Sequence, residues 1–191
     1  DDALGFKLSN IILNGPKETL GLTENTQPAI MTVGVAIYKT LKKQKIKDLK
    51  DYSFFAGHSL GEYTSLICSN SLTLKDGAKI LKERGKSMQE AVPVNVGAMA
   101  AVLGAEVDLI NEVINKNKSS DGVAEISNDN CPGQIVISGN KDKINKIVDD
   151  LKNTYSKKAI LLPVSAPFHC SLMQPSADKM NQILIQTNFS Q

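Results

Sequence analysis

The spacing of apolar residues along this chain becomes regular in its second half. Met99–Leu103 predicts a strand, and Val107–Asn117 a helix, with Ile110, Val113 and Ile114 at helical intervals. Val123–Ser127 and Gln134–Ser138 predict two more strands, joined by the turn-rich run Asn128-Asp129-Asn130-Cys131-Pro132-Gly133. Lys141–Leu151 carries Ile144, Ile147, Val148 and Leu151 on one helical face, and Ala159–Val164 reads as a closing strand. The order strand–helix–strand–strand–helix–strand is that of a split βαβ unit. Residues 97–164 are therefore expected to form a small domain, inserted between 1–96 and 165–191.

The first half is less regular. Asp1–Leu22 holds short apolar runs and a turn at Asn14-Gly15-Pro16, with no clear starting strand. Gln27–Leu41 looks helical through Pro28, Ala29, Ile30, Val33, Ile37 and Leu41, with Pro28 suited to the first turn. Tyr52–Ala56 predicts a short buried strand. A glycine follows at once, then a helix through Leu60, Tyr63, Leu66 and Ile67. Leu74–Ala91 predicts a further helix, with Leu74, Gly77, Leu81, Gly85 and Met88 on one side and Lys79, Lys82, Glu83 and Lys86 on the other.

Two features in this half carry chemistry. Gly57-His58-Ser59-Leu60-Gly61 is a G-x-S-x-G pattern between an expected strand and an expected helix. Its glycines are expected to avoid collisions in a tight turn, so that Ser59 projects freely as a nucleophile at a helix N-terminus, where backbone N–H groups can hold an oxyanion. The chain has two histidines that could serve as base. His58, beside the serine, is expected to be a packed, hydrogen-bonded residue. His169, in a proline-containing turn after the last strand, is the alternative. The second feature is Arg84, which falls on the apolar side of its helix, roughly 60° from Leu81. A guanidinium there needs an anion, either an internal carboxylate or a substrate carboxylate held by the planar fork.

Composition narrows the class. Of 191 residues, 41% are hydrophobic, enough for one good core or two small ones. No apolar run approaches membrane-spanning length, and no basic-then-apolar leader opens the sequence, so a soluble protein or part of one is expected. The 22 basic and 20 acidic residues are well mixed, which argues against nucleic acid as a partner. The one basic cluster, Lys39, Lys42, Lys43, Lys45, Lys47 and Lys50, is either a solvated helix end with its linker or a docking patch for an acidic carrier or coenzyme phosphates. Cys68, Cys131 and Cys170 are too scattered for a disulfide framework or a zinc site, and fit a reducing, cytoplasmic compartment.

Six stretches taken together resemble the malonyl-CoA:acyl carrier protein transacylase family over essentially the whole chain. They are Leu22–Ala29, Gly57–Tyr63, Arg84–Gln89, Gly97–Gly104, Asn128–Gln134 and Pro163–Cys170. The resemblance implies an α/β fold, with an α/β-hydrolase-like larger subdomain (1–96 and 165–191) and a ferredoxin-like insert (97–164). It implies that Ser59 is the acylated nucleophile and His169 its base, that Leu60 lends an oxyanion-hole N–H, and that Arg84 binds the malonyl carboxylate. Met88 would help line the acyl pocket, and the Phe168-His169 pair resembles the malonyl-selecting versions of the family. Malonyl-CoA and acyl carrier protein would be the substrates, with no metal or redox cofactor. The family's N-terminal Gly-Gln-Gly segment and its C-terminal segment have no counterpart here, so a partial chain is expected. Two rivals are an α/β-hydrolase-type thioesterase and a non-catalytic acyltransferase-like module. The thioesterase would need an acid between serine and histidine, and Asp142, Asp149 and Asp150 fall on a helix of the insert.

Overall fold

A computed structural model describes residues 1–44, 53–93, 95–119, 121–164 and 166–190. The chain divides into two compact units, Asp1–Lys86 with Met180–Gln191, and Ser87–Lys179. The divisions fall inside two helices, Leu74–Ala91 and Gln174–Ile185.

The first unit is helical. It holds α1 (Leu8–Asn14), α2 (Lys17–Gly21), α3 (Thr23–Lys43), α4 (Gly61–Cys68) and most of α5 (Leu74–Ala91). Helix α3 starts four residues earlier than the apolar pattern predicts, so Pro28 lies beyond its first turn. Polar side chains explain the early start. Asn25 Nδ2 donates to the Thr19 carbonyl at 2.9 Å and Thr26 Oγ1 to the Leu20 carbonyl at 2.6 Å, which satisfies the last turn of α2 with residues of α3. The core of this unit is Met31, Val35, Ile67, Cys68, Leu72, Ala78, Ile80, Leu81 and Met180. Of the apolar residues that mark this helix in the sequence, Pro28 and Ala29 are buried together with Met31 and Val35, whereas Ile30, Val33 and Ile37 are exposed. Leu74 is likewise exposed.

The strand expected at Tyr52–Ala56 is not formed. Tyr52 lies outside the described residues, and Ser53–Ala56 are irregular and exposed, with Phe54 at 89%. A strand exists through its hydrogen-bonded neighbours, and no described strand lies beside this segment to supply them. Of the basic cluster, Lys39, Lys42 and Lys43 are exposed at the end of α3, while Lys45, Lys47 and Lys50 lie outside the described residues.

The second unit is a sheet with two helices. Its elements are β1 (Gly97–Leu103), α6 (Val107–Lys116), β2 (Ala124–Cys131), β3 (Gln134–Asn140), α7 (Lys141–Asn153) and β4 (Lys158–Leu161). A short 3₁₀ turn (Ser171–Met173) then leads into α8 (Gln174–Ile185). The strand order is β2-β3-β1-β4, antiparallel throughout, with Ala100 opposite Ile137 and Val102 opposite Ile135. Alternate strand residues meet the apolar faces of both helices in one core: Ala100, Val102, Ile135 and Ile137 against Ile110, Val113, Ile144, Ile147 and Leu151. The expected linker at Asn128–Gly133 is mostly strand. Asn128, Asp129 and Cys131 pair with Val136, Ile135 and Gln134, leaving Pro132-Gly133 as the turn. Two register shifts, between Ile126 and Asn128 and between Asp129 and Cys131, absorb the residues that favour turns.

Candidate active site

Ser59 sits where the irregular segment turns into α4. Its φ is +53°, in the left-handed region that non-glycine residues seldom occupy, as His169 (φ +60°) and a few others in this chain do. The Gly61 N–H donates to the His58 carbonyl at 2.8 Å and the Glu62 N–H to the Ser59 carbonyl at 3.2 Å, which closes the turn. Leu60 is the N-cap of α4. The two glycines of the motif are not equivalent. A Cβ on Gly57 would overlap the Gly61 carbonyl group and come within 2.6 Å of the Glu62 nitrogen. A Cβ on Gly61 would meet no heavy atom within 4 Å, contrary to the expectation that both positions are crowded. Gly57 packs against the Gly61 backbone with no room for a side chain, whereas Gly61 has open space, so the clash runs one way. His58 is exposed, not packed as expected.

Arg84 reaches this turn from α5. Its Nη1 donates to Gln27 Oε1 at 2.6 Å and its Nη2 to Ser59 Oγ at 3.1 Å. The guanidinium carbon lies 5.8 Å from the centre of the Tyr63 ring, within cation–π range. Burial pulls the guanidinium below its ordinary value, opposed by the nearby Tyr63 and Glu62. Burial also raises the Tyr63 hydroxyl, against the opposing pull of Arg84. A close helix crossing makes the arrangement possible. A Cβ on Gly85 would fall 2.5 Å from Glu24 Cα, so α5 lies backbone-to-backbone on the first turn of α3. Gln27 is one turn further along α3 and 4% exposed.

Met88, Phe168 and His169 belong to the second unit. Met88 is buried with Val92 and Met173, and Phe168 packs against that cluster. His169 is exposed, with a φ of +60°. Its loop is held on both sides. Before it, Pro167 packs so closely on Gly97 that a Cβ there would lie 2.8 Å from the proline Cβ. After it, Glu125 on β2 accepts from both the backbone N–H and the hydroxyl of Ser171, each at 2.7 Å.

Ser59, Leu60 and Arg84 thus lie together in the first unit, with Gln27 and Tyr63, to which the sequence alone assigned no role. Gln27 lies at the start of the expected helix, but its contact with Arg84 depends on the crossing of α5 over α3 at Gly85. Glu125 had no readable signal, because its partner Ser171 is 46 positions away. Among the described residues, no group of three or more His, Cys, Asp or Glu could hold a metal ion, and no helix is long and apolar enough to cross a membrane.

The acyl transferase domain model matches residues 1–190. The chain belongs to the acyl transferase domain family. Among its relatives, the malonyl CoA-acyl carrier protein transacylase of Bacillus subtilis is 41% identical over 184 residues, an overlap covering 96% of this chain and 57% of that protein. The crystal structure of the acyl-carrier-protein-S-malonyltransferase from Bartonella henselae is 42% identical, with a TM-score of 0.92 over 100% of this chain and 60% of that one. A malonyl-transacylase solved with a type II PKS acyl-carrier protein is 37% identical, with a TM-score of 0.92 over 99% of this chain and 60% of its own. The chain therefore spans somewhat more than half the length of the acyltransferases it matches.

Proposed function

We propose that the protein carrying this chain transfers a malonyl group from malonyl-CoA to the phosphopantetheine thiol of an acyl carrier protein. The observation that carries this reading is the Arg84 fork, 3.1 Å from Ser59 Oγ. In a malonyl thioester the carboxylate carbon is about 2.5 Å from the carbonyl carbon, by ordinary bond lengths and angles. An acyl chain that short needs its cation close to the nucleophile, and Arg84 is that close. The Arg84 N–H donates to a lone pair of Ser59 Oγ, so the contact does not use the hydroxyl proton that a base would take. The adjacent cation also favours the serine oxygen as it becomes an alkoxide.

In this reading His169 takes the Ser59 proton as Oγ bonds to the thioester carbon. The Leu60 N–H stabilises the tetrahedral oxyanion, and the C–S bond breaks, releasing coenzyme A with the proton returned to its sulfur. The carrier thiol then attacks the malonyl-serine ester by the same steps in reverse. Met88 and Phe168 line the acyl pocket, and coenzyme A is a substrate, so no cofactor takes part. The β2-β3-β1-β4 order supports reading residues 97–164 as a ferredoxin-like insert; that 1–96 and 165–191 form an α/β-hydrolase-like subdomain around it rests on the family resemblance. The names of the relatives support the carrier protein as partner, and the three dispersed cysteines support a cytoplasmic setting.

Product analysis of the full-length protein with malonyl-CoA and carrier protein tests the proposal. Malonyl-carrier thioester is expected; free malonate as the main product would make the protein a hydrolase. His169→Ala should slow acylation by about 10²-fold or more, while His58→Ala should leave it within a few fold. A folded His58→Ala variant as inactive as His169→Ala would reverse the assignment of the base.

A further inference from the structure

We infer that Gln27 is a specificity-determining positioning residue. Its neutral side-chain oxygen aims the Arg84 fork at the acyl site without cancelling the charge that selects a dicarboxylic acyl group. The inference rests on the proposed role of Arg84 and goes beyond it.

Three observations converge on this. Gln27 is a buried polar side chain on α3, next to buried Pro28 and Met31 and in line with the buried polar residues Thr23 and Asn25, a position costly to fill unless its polar atoms are bonded. Its Oε1 accepts from Arg84 Nη1 at 2.6 Å, while the other arm of the same guanidinium reaches Ser59 Oγ. The contact also depends on Gly85, where the absent side chain lets α5 settle on the first turn of α3 next to Gln27.

The chemistry explains why an amide suits the position. Arginine has several rotatable bonds, and left alone its head group would sample many directions. One fixed acceptor at Nη1 orients the rigid, planar fork, whose other arm already reaches Ser59 Oγ at the acyl site. A carboxylate at position 27 would hold the same nitrogen and bond more strongly. It would also form an ion pair with the guanidinium, so that a malonyl carboxylate would have to compete with a resident one. An aliphatic residue would remove the orientation and strand a buried donor. Glutamine alone combines length, acceptor and neutrality.

The test is kcat/KM for malonyl-CoA and acetyl-CoA, with kcat and KM resolved separately, in the full-length protein carrying Gln27→Glu, Gln27→Leu, Arg84→Ala and the double variant Gln27→Glu/Arg84→Ala. Thermal melts check that each variant is folded. Gln27→Glu, nearly isosteric, should lower the malonyl value by about tenfold or more, chiefly through KM, and the acetyl value by less than about threefold. Gln27→Leu should also narrow the malonyl-to-acetyl preference. In the Arg84→Ala background, Gln27→Glu should change the preference no further. Equal loss for both donors in the Gln27 variants, or an unchanged preference in Gln27→Glu, would make Gln27 a packing residue and overturn the inference. If those results accompany an Arg84→Ala variant that does lose its malonyl preference, the reading of Arg84 stands and only Gln27 fails. If Arg84→Ala keeps its preference, both fail together.

Discussion

The two units bury their apolar residues to different degrees. In the sheet unit, Ile110, Val113, Ile135, Ile137, Ile144, Ile147 and Leu151 are all essentially inaccessible and meet in one core. In the helical unit a comparable core exists around Met31 and Leu81, yet Phe54, Leu13, Ile30, Val33 and Ile37 stand exposed. The sheet unit contains both sides of its main contacts: each core strand has a neighbour, and both helices have a face to cover. The helical unit has an exposed second apolar stripe on α3 and an unpaired segment leading into the nucleophile turn. The functional groups follow the same division. The loop bearing His169 is pinned before and after by Gly97 and Glu125. The Ser59 turn is closed by its own backbone, through Gly57 against Gly61, and tied to α5 by Arg84.

The largest expected effect tests the difference in burial. Ile137→Ala should destabilise the sheet unit by about 2–5 kcal/mol, because it opens a cavity in a closed core. Ile37→Ala, on the exposed stripe, should stay within about 0.5 kcal/mol. Urea unfolding of the 191-residue chain measures both, and similar shifts would erase the contrast.

Next comes the nucleophile turn. Gly57→Ala puts a methyl group into the backbone of Gly61, and the displaced serine should cost about 10²-fold in the acylation rate. Gly61→Ala meets open space and should cost far less. Stopped-time acylation with labelled malonyl-CoA, in the full-length protein, ranks the two, and a reversed order would mean that the turn is not held by this contact.

The smallest effect concerns Glu125. Glu125→Ala removes a charged acceptor from two donors next to the His169 loop, and should slow acylation by roughly three- to tenfold with little change in the melting temperature. A loss confined to the melting temperature would make Glu125 a stability residue only.

The legibility of the sequence follows the same contrast. In the sheet unit, helix α7 and the strands declare themselves because period and partner lie within about 65 residues of one another. Asn128–Cys131 misled, since pairing with β3 overrode residues that otherwise favour turns, and β4 ends at Leu161, short of the Val164 expected from the apolar run. In the helical unit, α5 was readable end to end, and Arg84 stood out as a charge on an apolar face. Ser53–Ala56 misled because apolar composition says a segment is fit for a strand without supplying the neighbours that make one. The Ser59 motif was legible from spacing, but the distinction between Gly57 and Gly61 was not, since it depends on which backbone approaches which Cα. Gln27 required knowing that α5 crosses α3 at Gly85.

The central claim is that Ser59 carries the acyl group and Arg84 selects it. Intact mass of the full-length protein after brief exposure to equimolar malonyl-CoA and acetyl-CoA, followed by peptide mapping, tests both at once. The expected result is a single added malonyl group on the peptide containing Ser59, absent in Ser59→Ala and replaced largely by acetyl in Arg84→Ala. Undiminished malonylation of Ser59→Ala, or an unchanged malonyl-to-acetyl ratio in Arg84→Ala, would contradict the account.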